Sequence, residues 1–107
     1  GFNSSSASRK AVELAAMNKA TAYYQHQGRH VEVKGTTGDG SSVLLTPNEV
    51  RHARQYANVD LYVLSGLILQ TDGLGNVDAV GGKQEIYSPW NINSGTLNAI
   101  GYEYSPP

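Results

Sequence analysis

Arg29–Gly38, RHVEVKGTTG, is the stretch on which the reading of this 107-residue chain turns. Val31 and Val33 alternate with His30, Glu32 and Lys34, the two-residue period of a half-buried strand. On such a strand the valines face a core, and Glu32 and Lys34 stand side by side on the other face. A carboxylate that can hold a hard cation, beside an amine that can steady a developing anion, is the equipment of metal-assisted phosphodiester cleavage. Gly35 and Gly38 then let the backbone turn away. Glu-x-Lys by itself arises by chance in roughly a third of chains this long. Two solvated charges on a wet strand face are therefore the bland alternative.

On the N-terminal side, Gly1–Ser8 is small, polar and serine-rich, the composition of a flexible segment in which a serine caps the helix after it. Arg9 to Gln27 is rich in helix formers, with Leu14, Met17, Thr21 and Tyr24 at spacings of three and four, and Gly28 is a natural stop. Glu13 falls in the first turns, near the positive end of the helix dipole, where an exposed acid helps a helix start.

On the C-terminal side, Gly38–Ser42 is a turn cluster, and Ser42–Leu45 is expected to form a second short strand that closes a hairpin. Thr46-Pro47-Asn48-Glu49 combines a capping threonine, a proline at the first helical position and a glutamate that completes a capping box. The helix it opens is expected to run to about Ala57 on an inner stripe of Val50, Ala53 and Ala57. Asn48, Arg51, His52 and Gln55 form its polar, partly basic outer face, a candidate phosphate-contacting surface and otherwise an ordinary solvated one.

Asp60–Gln70 reads as a strand buried on both faces. Thr71–Gly82 reads as a long loop or ragged hairpin, Gln84–Tyr87 as a short edge strand, and Ser88-Pro89-Trp90 as a turn with Trp90 in the core. Ala99–Tyr104 reads as a final strand carrying Ile100, Tyr102 and Tyr104 on one face. Together these elements predict an α/β domain over residues 9–107, a small mixed sheet flanked by two helices.

Composition narrows the function classes. A net charge of −1 with 16% charged residues excludes a basic module that coats nucleic acid, so any phosphate contact must be local. The absence of cysteine excludes disulfide scaffolds and thiolate zinc sites and agrees with a reducing, cytoplasmic setting. No apolar run approaches the length of a membrane span. A start at Gly1 rather than Met suggests a piece of a longer protein with other domains.

Several other motifs fail on spacing. Gly81-Gly82-Lys83 lacks the Ser or Thr of a phosphate-binding loop, since Gln84 comes next. Asp72, Asn76 and Asp78 do not have the spacing of an EF-hand and are better explained as turn residues. His26, His30 and His52 have no spacing that would grip zinc from one helix. Nucleophilic catalysis lacks both Cys and a Gly-x-Ser-x-Gly elbow.

VELAAM, RHVEVKGTT, LTPNEVRHAR, LYVLS, the SPW turn and the closing YEY, in that order, resemble the domain typified by the carboxy-terminal region of the plant protein NO VEIN. Bacterial members of that family occur in helicase-like and defence-associated proteins, and the domain is similar to the restriction-endonuclease-like, PD-(D/E)xK, superfamily. The resemblance implies a restriction-endonuclease-like core. It makes Glu32 a catalytic acid and magnesium ligand, and Lys34 the amine that positions or activates the attacking water and stabilises the pentavalent phosphorus. Glu13 matches the family's helix glutamate and is implied as a supporting metal ligand. Asn48 and Glu49 match the asparagine and glutamate of the second helix start, where capping is a sufficient role for Glu49.

One departure stands out. Family members usually carry a further strand pair, with the first acid in a Tyr-Asp-Leu setting, between the glycine closing the first helix and the Glu-x-Lys strand. Here Gly28 runs straight into Arg29, and neither Asp nor Glu occurs between Glu13 and Glu32. About twenty residues, enough for two typical strands, are missing from the expected pattern. Two functions are expected. The first is a nuclease-related domain hydrolysing nucleic-acid phosphodiesters with Mg2+ if its site is complete. The second is a non-catalytic nucleic-acid or protein interaction module within a larger defence or helicase-like protein.

Overall fold

In the chain, seen as a computed structural model, residues 5–24, 30–101 and 104–107 are described. Helix α1 spans Ser6–Tyr23 and begins three residues earlier than its periodicity suggests. Ser5 is the cap, its hydroxyl accepting the N–H of Ser8. Strand β1 is His30–Gly35, helix α2 is Pro47–Gln55, strand β2 is Val59–Thr71 and strand β3 is Val77–Tyr87. A 3-10 turn comes after it at Ile92–Ser94. The proposed helix stop at Gly28, His26, the Gly28–Arg29 junction and Tyr102 lie outside the described residues.

The sheet is mixed, in the order β1-β2-β3, as expected for an α/β fold. β1 pairs with β2 in parallel, His30 opposite Val59 through Gly35 opposite Leu64, and β2 pairs with β3 antiparallel. The expected hairpin after β1 is therefore replaced by a crossover through α2, and Ser42–Leu45 is not a strand. Parallel neighbours require such a crossover. The reason is local: the Thr36 N–H donates to Leu64 O, the Leu67 N–H to Thr36 O and the Gly66 N–H to Gly38 O. Thr36–Gly38 thus stays beside β2 instead of folding back on β1.

The core joins Val12, Ala16 and Ala20 of α1 to Tyr62, Leu64 and Leu67 of β2, with Val31 and Val33 packed against them. Small residues and Val12 form the buried stripe of α1, whereas Leu14 and Met17, which recur at helical spacing, are 60% and 52% exposed. Close approach explains the choice. A Cβ on Gly35 would lie 2.7 Å from Val12 O and 2.9 Å from Ala16 Cβ, so small residues are needed where α1 crosses the end of β1. On α2 only Ala53 is buried, and Ala57 lies beyond the helix and exposed.

β2 is buried on both faces only in its first half. Tyr62 and Leu64 face α1, while Leu61, Val63 and Ser65 are buried on the opposite side, where Gly40 comes against Ser65 and Val63. Beyond Gly66 the inward positions change parity, since Leu67 and Leu69 join the core and Ile68 is 61% exposed. Gly66 and, across the ladder, Gly81 and Gly82 have φ values of 66°, 73° and 98°, a left-handed backbone that turns the hairpin over at this point. Of the two readings of Thr71–Gly82, the structure has the hairpin and not the long loop: the turn is confined to residues 72–76 and β3 is eleven residues long. Asp72 Oδ1 accepts the N–H groups of Leu74 and Asn76, the turn role assigned to it.

Trp90 is half-buried and its N–H donates to Val59 O. Residues 99–101 and 104 form no strand, and Ile100 and Tyr104 are 70% and 81% exposed, so the final strand is not present among the described residues. No helix there is long and apolar enough to cross a membrane.

Candidate functional site at the junction of β1 and α2

The alternation of β1 places Val31 and Val33 on the α1 core and leaves Glu32 and Lys34 together on the other side. Lys34 Nζ lies 3.5 Å from Glu32 Oε1. It lies closer still, 2.8 and 3.0 Å, to both carboxylate oxygens of Glu49 on α2. The three side chains are half-buried, between 20% and 24% exposed.

Glu49 is held from behind. Its Oε1 accepts the Thr46 N–H at 2.8 Å, and its own N–H donates to Thr46 Oγ1 at 3.2 Å, the reciprocal capping box that the sequence announces. Pro47 occupies the first turn without disturbing it, since that position needs no N–H donor.

Electrostatics divide the two acids. Burial raises the Glu32 carboxyl from its ordinary 4.5 to about 7, and the hydrogen bond and negative charge of Glu49 add to that shift against the pull of Lys34. Burial acts on Glu49 in the same direction, but hydrogen bonds from Glu32, Lys34 and the Thr46 N–H, with the lysine charge, outweigh it and bring Glu49 down to about 2. Burial and the neighbouring carboxylate thus favour the protonated form of Glu32, while the donors gathered on Glu49 favour its ionised form.

Around these residues lies a cleft of about 1070 Å³ lined by Val12, Glu13 and Ala16 of α1, by Thr36–Gly40, and by Glu32, Lys34 and Glu49. Glu13 is exposed on α1 along this cleft. A smaller recess is lined by His30, Val31, Glu32, Asn48, Glu49 and His52. Of the α2 outer face, Asn48 and His52 therefore adjoin the acids. Arg51 is hydrogen-bonded to Asn48 Oδ1, and Gln55 is exposed one turn further on. His52 also belongs to a ring cluster with Tyr56 at 4.5 Å and His30 at 5.4 Å. Among the described residues, no three His, Cys, Asp or Glu side chains gather as a metal-holding group.

The family model described as Protein NO VEIN, C-terminal, matches residues 12–72, more than half the chain. The chain belongs to the NO VEIN C-terminal family. That match takes in Glu13, Glu32, Lys34 and Glu49 and leaves β3 outside. No curated protein and no solved structure matches the chain.

Two polar residues of this NO VEIN-like domain have roles that their local sequence does not announce. Glu49 was legible as a cap, but its reach to Lys34 depends on the crossover that brings α2 over β1. Asp60, hidden in an apolar run, is 1% exposed and accepts the Tyr24 hydroxyl at 2.8 Å and the Ser88 hydroxyl at 2.7 Å. A lone acid at the head of a buried strand was the available signal.

Proposed function

We propose that this domain is nuclease-related and hydrolyses nucleic-acid phosphodiesters with magnesium. The observation that carries the reading is the half-buried gathering of Glu32, Lys34 and Glu49 beside a solvent-accessible cleft. The donor chemistry suits a hard divalent cation. Burial, with the second carboxylate beside it, raises the Glu32 carboxyl to about 7, and a cation can take the place of its proton. Magnesium binds through one or two carboxylates, the rest of its shell being water and phosphate oxygen. Glu32 would hold the ion; Glu13 lines the same cleft but from α1, on the side of the sheet that Val31 and Val33 face. When bound, the ion would lower the pKa of water and neutralise phosphate charge.

The chain's own residues supply the rest. Lys34 presents a fixed ammonium that offsets negative charge building on the phosphate as the water oxygen adds to phosphorus and the ester P–O bond breaks. Asn48, Arg51, His52 and Gln55 offer donors along α2 for the flanking backbone phosphates. With a net charge of −1 the contact is local, and other domains of a longer chain would deliver the nucleic acid.

The test is cleavage of single- and double-stranded DNA and RNA by the chain with and without magnesium, beside Glu32→Gln and Lys34→Ala. Cutting that requires magnesium and disappears in both variants is the expected result. Salt-sensitive binding of nucleic acid by the wild type with no cutting would instead establish the interaction module.

A further inference from the structure

We propose that Glu49 is the positioning residue for Lys34, its carboxylate holding the site's amine in addition to serving the start of α2; this deepens the nuclease reading and rests on it. A lysine side chain is a flexible four-carbon stem ending in three rotatable donors, and on a strand face it has many places to go. Here Nζ meets both oxygens of one carboxylate, at 2.8 and 3.0 Å, and a second carboxylate at 3.5 Å.

Glu49 is itself held by a device that requires no partner from β1. The Thr46 N–H fixes Oε1, and Thr46 Oγ1 fixes the Glu49 backbone. Oε1 thus serves the helix start and the amine at once, and Oε2 accepts the amine as well. A chain of short bonds runs from Thr46 through Glu49 to Lys34. An ordinary capping box uses its third-position acid only on the cap backbone, so the reach to Lys34 is an addition to that role. Glu49 acts through the lysine and touches no reacting atom.

Two substitutions separate the roles. Glu49→Gln keeps a side chain that can complete a capping box but removes the charge that holds Nζ. Thr46→Ala weakens the cap and leaves the carboxylate. The first measurement needs no catalysis: acylation of the folded chain with acetic anhydride at one pH, followed by mass spectrometry, with Lys83, whose side chain is 80% exposed, as internal reference. Relative to Lys83, Lys34 should react about tenfold faster in Glu49→Gln than in the wild type, from the loss of a charge-assisted bond, and change little in Thr46→Ala. The second measurement is steady-state cleavage with magnesium, where Glu49→Gln should lower kcat about tenfold or more and leave KM nearly unchanged.

Lys34 reactivity in Glu49→Gln equal to that of the wild type would overturn the proposal. So would equal effects of Glu49→Gln and Thr46→Ala on acylation, which would reduce Glu49 to a helix cap. A wild-type chain that cuts nothing defeats the nuclease reading, while the acylation result still decides whether Glu49 positions Lys34.

Discussion

Asp60 and Glu32 stand on neighbouring strands, Asp60 in register with Val31 beside Glu32, yet they are held in opposite ways. Asp60 is sealed from water and accepts neutral hydroxyls from Tyr24 and Ser88. Those bonds tie the end of α1 and the segment after β3 to the start of β2. Glu32 is half open to a cleft and faces a second carboxylate and an ammonium. A carboxylate buried this fully keeps its partners where they are, the Tyr24 and Ser88 hydroxyls among them, which makes Asp60 a fastening. Two acids shifted in opposite directions beside a lysine are a charge arrangement that a cation or a phosphate can alter, which makes Glu32 the candidate for the proposed chemistry. Adjacent positions in one sheet can thus carry acids of the same kind with unlike purposes.

The contrast can be broken experimentally. Asp60→Ala, which strands two hydroxyls, should lower stability by about 3 kcal/mol in urea unfolding. A loss below about 1 kcal/mol would remove the distinction between fastening and site. Gly35→Ala tests the strand that bears the site, since its methyl meets Val12 O and Ala16 Cβ. The cost should be about 2 kcal/mol, measured in the same way, and an unchanged midpoint would show that α1 can move off β1.

The pH dependence of stability sharpens the comparison further. Glu32, raised to about 7, contributes stability that is full below pH 4.5 and lost as pH rises through 7. Glu49, lowered to about 2, contributes stability that is present above pH 4.5 and lost as pH falls through 2. The pair is therefore most stabilising near pH 4.5. Glu32→Gln should abolish the loss between pH 4.5 and 7, a difference of about 1 to 2 kcal/mol after allowance for solvent screening. Parallel wild-type and variant curves over that range would refute the raised Glu32 carboxyl. The smallest change is expected far from both acids: Ile68→Thr, on the open face of the hairpin, should shift stability by less than about 0.5 kcal/mol, and a larger loss would show that this face is covered.

Much of the fold was legible in the sequence because its signals are local. The alternation of β1, the capping box at Thr46–Glu49 and the apolar run of β2 each lie within a few residues, and each element appears where its pattern puts it. The failures share a different cause. Leu14 and Met17 have the right spacing for a buried stripe, but Val12, Ala16 and Ala20 have the right size, and close packing against Gly35 decided for size. Ser42–Leu45 has strand composition but no partner, because Thr36–Gly38 remains hydrogen-bonded to β2. Ile100 and Tyr104 alternate like a strand and remain exposed.

The pairing of Glu32 with Lys34 was written into the sequence, since two residues apart on a strand means one face, whatever the rest of the chain does. So was the grip of Thr46 on Glu49, which spans a single helical turn. Only the tertiary structure joined the two, by making β1 and β2 parallel and thereby sending α2 across to set Glu49 against Lys34. Fifteen positions separate that lysine and glutamate. No periodicity reaches so far; the distance is bridged by the direction in which strands pair, which depends on hydrogen bonds between segments remote in the chain.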